Sequence, residues 1–341
     1  MSEEFGRFFL PGPSEVHPDV LAAMQRPMVA HRSAACAELF DAVQPALRAV
    51  FGTQRTVLLG ACSATGFMEA GVRLLPRGRV LALVNGAFSE RFAQIAEACG
   101  HEAERSSVAW GEAHDPAAVR TTCDAGDYVG VLVAHNETST GVVQPLKELA
   151  EAVAPLPLLV DSTSGAGGVE LRFDEWNLAY ALTGSQKALA LPPGLAFAVV
   201  REDLLDNAPP ADSFYFDLRR YAENQPPFTP ALPQIYALEA QAARIEAEGL
   251  EQRLNRHREM RDRTLAWADE RGLEVLAARE HASPTVTCLL LDESTEFLAR
   301  MFQAGYTLGN GYGKLKNKAF RIGHMGDQTL ETLNRLLAAL E

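Results

Sequence analysis

From Thr56 to Arg201 the chain alternates short apolar runs with segments whose apolar residues recur every three to four positions. The runs "TVLLG", "RVLALVN", "YVGVLVA", "LPLLVD", "LAYALTGS" and "LAFAVVR" show no polar alternation. They predict strands buried on both faces, the signature of an α/β domain with a mostly parallel sheet. Between them, Gly66–Leu75, Glu90–Cys99 and Leu146–Val153 have helical period and few breakers, and predict crossover helices. After the Pro-rich "NQPPFTPALP", a stretch rich in Ala, Glu, Arg and Leu from about Gln234 to Arg271 predicts one long helical segment bridging two domains. The remainder suits a smaller α+β domain: strand-like "GLEVLA" and "TVTCLLL", a helix near Glu296–Ala304, "KAFRIGH" and a terminal helix.

The length of 341 residues and the 47% hydrophobic content supply enough apolar chain for two such cores. A formal charge of -13, from 44 acids against 31 bases, argues against nucleic acid or an anionic membrane as the main partner. The five cysteines are scattered and form no C-x-x-C pair, so neither a disulfide framework nor a metal site is expected. No window approaches a run of about 18 apolar residues, and the first residues lack a secretory pattern; a cytoplasmic protein is expected.

In parallel sheets ligands gather at the carboxyl ends of strands, which singles out the residues after each apolar run. "ACSATGFMEA" puts Ser63, Ala64, Thr65 and Gly66 at the start of a helix, either an ordinary capped turn or an anion site. "NGAFSERF" puts Phe88 at the same edge, as a core anchor or as a face for a planar ring. "HNETSTG" offers His135, Asn136, Glu137, Thr138 and Ser139, more polar groups than a plain loop needs. Asp161 is either a helix cap or the partner of a protonated ring nitrogen. Lys187, in "TGSQKALALPPG", is either a solvated lysine or a desolvated amine nucleophile. One ligand class satisfies all five loops: a planar, phosphorylated, nitrogen-containing aldehyde held as a Schiff base, namely pyridoxal 5′-phosphate.

The ordered motifs "LPGPSEVHPDVLAAM", "HRS", "ACSATGFMEA", "NGAFSERF", "HNETSTGV", "LLVDSTSGAGG", "TGSQKALALPPGLAF", "PFTPALPQIYAL" and "FRIGHMGD" resemble those of the class V aminotransferases, specifically the serine/alanine–glyoxylate (serine–pyruvate) group. The resemblance covers nearly the whole chain. It implies fold type I of the pyridoxal phosphate enzymes: a large domain over residues 1–240, its first 20 residues near the active site, and a small domain over 241–341. It implies transamination of alanine or serine with glyoxylate or pyruvate by a homodimer. Lys187 would be both the Schiff-base lysine and the general base, and Asp161 would keep the pyridine nitrogen protonated. Phe88 would stack on the cofactor ring, Ser63, Ala64, Thr65 and Gln186 would hold the phosphate, and Thr138 would lie near the ring's 3′-oxygen. Arg321 would grip the substrate α-carboxylate, and Thr229 or Phe228 would reach the other subunit's cofactor. The chain departs from the pattern at Phe88, where several members have tryptophan, and at Ser-Ala-Thr, where many read Ser-Gly-Thr or Ser-Gly-His.

Within the same fold, a phosphoserine aminotransferase would need extra basic residues; His31, Arg32, Lys314, Lys316 and Lys318 keep that reading open. A cysteine desulfurase needs a mobile cysteine, whereas Cys288 sits in an apolar run. A nucleotide-binding oxidoreductase would show G-x-G-x-x-G after a strand, and the chain has none. A catalytically dead scaffold is disfavoured by the retention of Lys187, Asp161 and Arg321.

Overall fold

A computed structural model describes residues 5–221 and 226–340, so part of the "NQPPFTPALP" segment lies outside the described residues. The apolar runs form strands Leu58–Gly60, Arg79–Val84, Gly130–Ala134, Leu158–Asp161, Tyr180–Gly184 and Ala196–Val200. With Glu102–Ser107 they make a seven-stranded sheet. From Tyr180–Gly184 through Leu158–Asp161, Gly130–Ala134 and Arg79–Val84 to Glu102–Ser107, every neighbour is parallel. Ala196–Val200 runs antiparallel between Tyr180–Gly184 and Leu58–Gly60.

The continuous apolar runs follow from the two-period of a strand. Leu81, Val131, Val133, Val160 and Phe197 enter one core, while their chain neighbours Val80, Ala82, Leu132, Leu159 and Ala198 enter another on the opposite face. Glu102–Ser107 escapes the apolar pattern because it is an edge strand with no fully buried residue. Helices Ala64–Val72, Ala87–Ala98 and Leu146–Val153 occupy the expected crossovers. A further helix, Ala34–Phe51, buries Leu39, Val43, Leu47 and Val50 along one face and tolerates Pro45 inside it.

The expected single helical stretch is two helices, Leu232–Glu248 and Leu250–Glu270. Gly249 breaks it at φ 82°, a left-handed value that glycine reaches without a Cβ clash. "GLEVLA" forms no strand; only Val275 makes an isolated bridge, to Leu289. The second sheet has the order Phe8–Phe9, Thr307–Asn310, Ala319–Ile322, Thr287–Leu290. Its core of Phe9, Met260, Trp267, Leu289, Phe320, Ile322 and Leu336 draws on both chain ends. Phe8 and Phe9 pair in parallel with Thr307 and Leu308, so the chain leaves this sheet at Leu10 and passes directly to the carboxyl edge of the first.

Candidate active site

The loops after strands Leu58–Gly60, Arg79–Val84, Gly130–Ala134, Leu158–Asp161 and Tyr180–Gly184 supply the groups singled out above. A cavity of about 720 Å³ lies at the amino end of strand Leu158–Asp161, beside Pro155 and Trp176. That is the opposite edge from the one where a parallel sheet presents its ligands.

Lys187 lies in the turn after Tyr180–Gly184, and its Nζ donates to the carbonyl oxygen of Pro11 at 2.6 Å. Ser14 clamps the same turn, its backbone N–H donating to Gln186 O at 2.9 Å and its Oγ to Lys187 O at 2.8 Å. Gly12 has φ +115°, and a Cβ there would fall 2.3 Å from the lysine side chain; only glycine lets this segment lie over Lys187. Burial, then the nearby positive charge of Arg321, bring the lysine's pKa down to about 8, with Asp161 opposing.

Asp161 ends its strand with its carboxylate taking the backbone N–H of Thr163 at 2.9 Å and the Thr163 hydroxyl. Burial raises its pKa to about 6 against those two bonds. The half-buried ring of Phe88, in the first turn of Ala87–Ala98, has its centroid 5.8 Å from Lys187 Nζ. It also stacks on Tyr312, centroids 5.1 Å apart with the planes at 27°.

Glu137 fixes that helix start. One carboxylate oxygen accepts from the backbone N–H groups of Phe88 (3.0 Å) and Ser89 (2.8 Å) and from Ser89 Oγ (3.0 Å), the other from Ser139 N (3.0 Å) and Oγ (2.6 Å). Thr138 Oγ1 donates to Ser164 Oγ at 2.6 Å. In the same loop Asn136 donates to Ser164 and Thr285, while its Oδ1 is buried without a partner. His135 contacts Ser162 Oγ at 3.0 Å, and burial lowers its pKa to about 4.

Arg321, in strand Ala319–Ile322, crosses from the second sheet to the first. Its Nε donates to Asn310 O at 2.9 Å and its Nη1 to Thr138 O at 3.1 Å. Burial depresses its pKa, with no carboxylate hydrogen-bonded to it among the described residues.

Ser63 is the N-cap of Ala64–Val72, yet its side chain makes no capping bond, and Ser63 and Thr65 are exposed while Ala64 is buried. A Cβ on Gly184 would sit 2.8 Å from Gln186 Oε1 and 3.2 Å from Ala64 Cβ, so the Gln186 amide lies beside the helix start. Free N–H groups, two hydroxyls and an amide at one helix N-terminus fit a phosphate. The acid of Asp161, the amine of Lys187 and the face of Phe88 fit the remaining parts of pyridoxal phosphate.

Thr229 stands apart: it is exposed in a cleft of about 260 Å³ with His31, Arg32 and Phe228. Phe228 stacks on Tyr215 at 4.9 Å, and Tyr215 donates to Ala61 O at 2.9 Å, so this segment is anchored to the turn that leads to Ser63. Lys314 lies over the Trp110 ring at 4.3 Å. Cys288 is fully buried, and burial raises its thiol to about 12, the opposite of a mobile nucleophile. Sequence reasoning missed Tyr312, Arg91 and the backbone of Pro11; "GYG" beside the lysine-rich turn was the available signal for Tyr312.

A parallel-sheet edge that presents a buried amine, a buried acid and an arginine reaching over from a second sheet is the arrangement of a fold type I aminotransferase. The family model for aminotransferase class V matches residues 9–297, and the chain belongs to that family. The match ends before the strand that carries Arg321. The chain is 36% identical to an uncharacterised aminotransferase of Methanocaldococcus jannaschii, over 93% of this chain and 87% of that protein. It is 33% identical to the L-aspartate–glyoxylate aminotransferase of Paracoccus denitrificans, over 94% and 86%. With the serine–glyoxylate aminotransferase of Methylorubrum extorquens it shares 31% identity over 98% and 89%. Among solved structures, the alanine–glyoxylate aminotransferase of a Nostoc species superposes with a TM-score of 0.92 at 28% identity, over 100% of this chain and 96% of that one.

Proposed function

We propose that the protein holds pyridoxal 5′-phosphate on Lys187 and transfers the amino group of a small α-amino acid, alanine or serine, to glyoxylate or pyruvate. One observation carries the reading: a lysine whose pKa burial has lowered to about 8 shares a strand-end site with an acid raised to about 6 and a buried arginine. The aspartate–, serine– and alanine–glyoxylate aminotransferases named above differ in donor but share glyoxylate as acceptor, which favours it over pyruvate here.

When bound, the cofactor supplies an aldehyde that condenses with amines and a ring that accepts the electron pair released at Cα. This chain supplies the rest. The helix start at Ser63–Thr65, with Gln186, would bind the phosphate, Phe88 would cover the ring and Thr138 would serve its oxygen. Asp161 would hold a proton on the ring nitrogen, and a protonated nitrogen beside it would give the buried carboxylate a counter-charge. Arg321 orients the α-carboxylate bidentately. Lys187 would take the Cα proton at Nζ and give it back later in the transfer, a single base serving both directions.

We place the boundary between the large and small domains near residue 240 and propose a homodimer, in which exposed Thr229 would reach the neighbouring subunit's site. A panel of α-amino donors with glyoxylate, scored by glycine and keto-acid formation, tests the proposal. Glycine formation from alanine or serine supports it, and cofactor-loaded protein that makes no glycine from any donor overturns it.

A further inference from the structure

We propose that Arg91 and Tyr312 form a second carboxylate-recognising position at the mouth of the site. It takes the side-chain carboxylate of an aspartate-like α-amino dicarboxylate while Arg321 takes the α-carboxylate. The inference rests on the transamination proposed above and adds an aspartate-like class to its alanine and serine donors.

Arg91 follows Phe88 by three positions on one helix, so the two share a face. The Arg91 guanidinium carbon stands 4.9 Å from the Phe88 ring centroid, and Lys187 Nζ stands 5.8 Å from the same centroid. Two cations thus border one ring. Arg91 has no carboxylate of its own among the described residues: Glu90 and Glu97, the acids of the same helix, are both taken by Arg105. Its recorded hydrogen bond runs from Nη2 to the Tyr312 hydroxyl at 3.0 Å.

Tyr312 links the two arginines. Its ring stacks on Phe88, the Arg321 guanidinium carbon lies 5.7 Å from its centroid, and its hydroxyl meets Arg91. Both guanidinium groups therefore border the same tyrosine, Arg321 over its ring and Arg91 at its hydroxyl, so a dicarboxylate seated beside Tyr312 meets one with each carboxylate. The Tyr312 oxygen accepts from Arg91, which leaves its own O–H to donate. Lys187 feels the positive charge of both Arg321 and Arg91, and of the acids near it, Asp161 and Glu137, the Glu137 carboxylate is already occupied by five donors. Like charges left this close repel, so an incoming second carboxylate finds both a fork of donors and an uncompensated charge.

The test compares aspartate with alanine as donor, and maleate with acetate as unreactive ligands titrated calorimetrically into the cofactor-loaded enzyme. Arg91→Met is expected to lower the aspartate-to-alanine ratio of kcat/KM at least tenfold and to weaken maleate binding by a similar factor. Tyr312→Phe should lower both several-fold, and Arg91→Lys should recover part of the loss. If Arg91→Met fails to fold, the Lys and Phe variants carry the test alone. Maleate binding no tighter than acetate, or variants that leave the ratio unchanged, overturns the second site. Arg91-dependent maleate binding by an enzyme that transaminates no amino acid would instead overturn the proposed function and leave the site standing.

Discussion

Lys187 Nζ donates to the carbonyl oxygen of Pro11 at 2.6 Å, across 176 positions of chain. The contact sets the segment leaving the second sheet directly over the amine at the edge of the first. A carbonyl solvates the amine without supplying a counter-charge, so burial is left to lower its pKa.

Lys187 should therefore react as an amine well below the pH of an ordinary lysine. Borohydride trapping of pyridoxal phosphate on the apoprotein should follow the neutral fraction, rising through a midpoint at about pH 8 and levelling well above it. Peptide mapping locates the adduct, and its presence on another lysine, or a midpoint near 10.5, contradicts the assignment. Because the folded pKa lies below the unfolded value, the unfolded chain binds more protons between about 8 and 10.5, and this group adds stability as pH rises through that window.

Asp161→Asn separates the acid's two effects. In the holoenzyme, loss of the charge beside the ring nitrogen should slow the amino-transfer half-reaction on the order of a hundredfold or more. In the apoprotein the folded pKa lies above the unfolded 3.8, so the penalty for ionising the buried carboxylate builds as pH rises from about 4 and is complete above about 6. The variant should melt higher than the parent at pH 7, by at most about 3 kcal/mol of stability. That gain should vanish below about pH 4, and a variant no more stable at pH 7 would show that Thr163 fully offsets burial.

Arg321→Lys keeps the charge and loses the fork. Affinity for every α-amino donor and α-keto acceptor should fall together, by about 2 to 5 kcal/mol for complete loss of the contact in Arg321→Ala. Amines without a carboxylate should be nearly indifferent, and cofactor absorbance should remain. Unchanged KM values for α-amino acids would place the carboxylate clamp elsewhere.

Arg253 is 1% exposed and binds Asp327 Oδ1 at 3.0 Å, Glu248 Oε2 at 2.9 Å and the Ala188 carbonyl at 2.8 Å. It ties the helix Leu250–Glu270 to the residue after Lys187. Burial pushes the Asp327 carboxyl up, but Arg253, Gln241 and Arg244 outweigh it and hold the pKa below the usual value. Arg253→Met should cost up to about 3 kcal/mol, because Asp327 loses one charged partner and keeps Arg244 and Gln241. The stability from Asp327 is present above the unfolded carboxylate pKa and is lost as pH falls through the folded one. The parent and Arg253→Met melting curves should therefore converge in acid, and parallel curves would contradict this account.

The amino-acid sequence by itself determined six strands of the first sheet, three crossover helices and the strand-end positions of Ser63, Phe88, Thr138, Asp161 and Lys187. These rest on local period and on the rule that parallel sheets present ligands at their carboxyl edge, both readable within a few residues. Glu102–Ser107 was illegible because an edge strand needs no apolar run, and the break at Gly249 because one glycine in a helical stretch leaves helical period intact on either side. Only the tertiary structure brought Pro11 onto Lys187, Arg321 onto the Thr138 carbonyl and Tyr312 between Phe88 and Arg91. Those contacts join the two sheets, and their partners are set by how one core packs on the other. No local pattern records that packing, because each partner alone is an unremarkable proline, arginine or tyrosine on its own element.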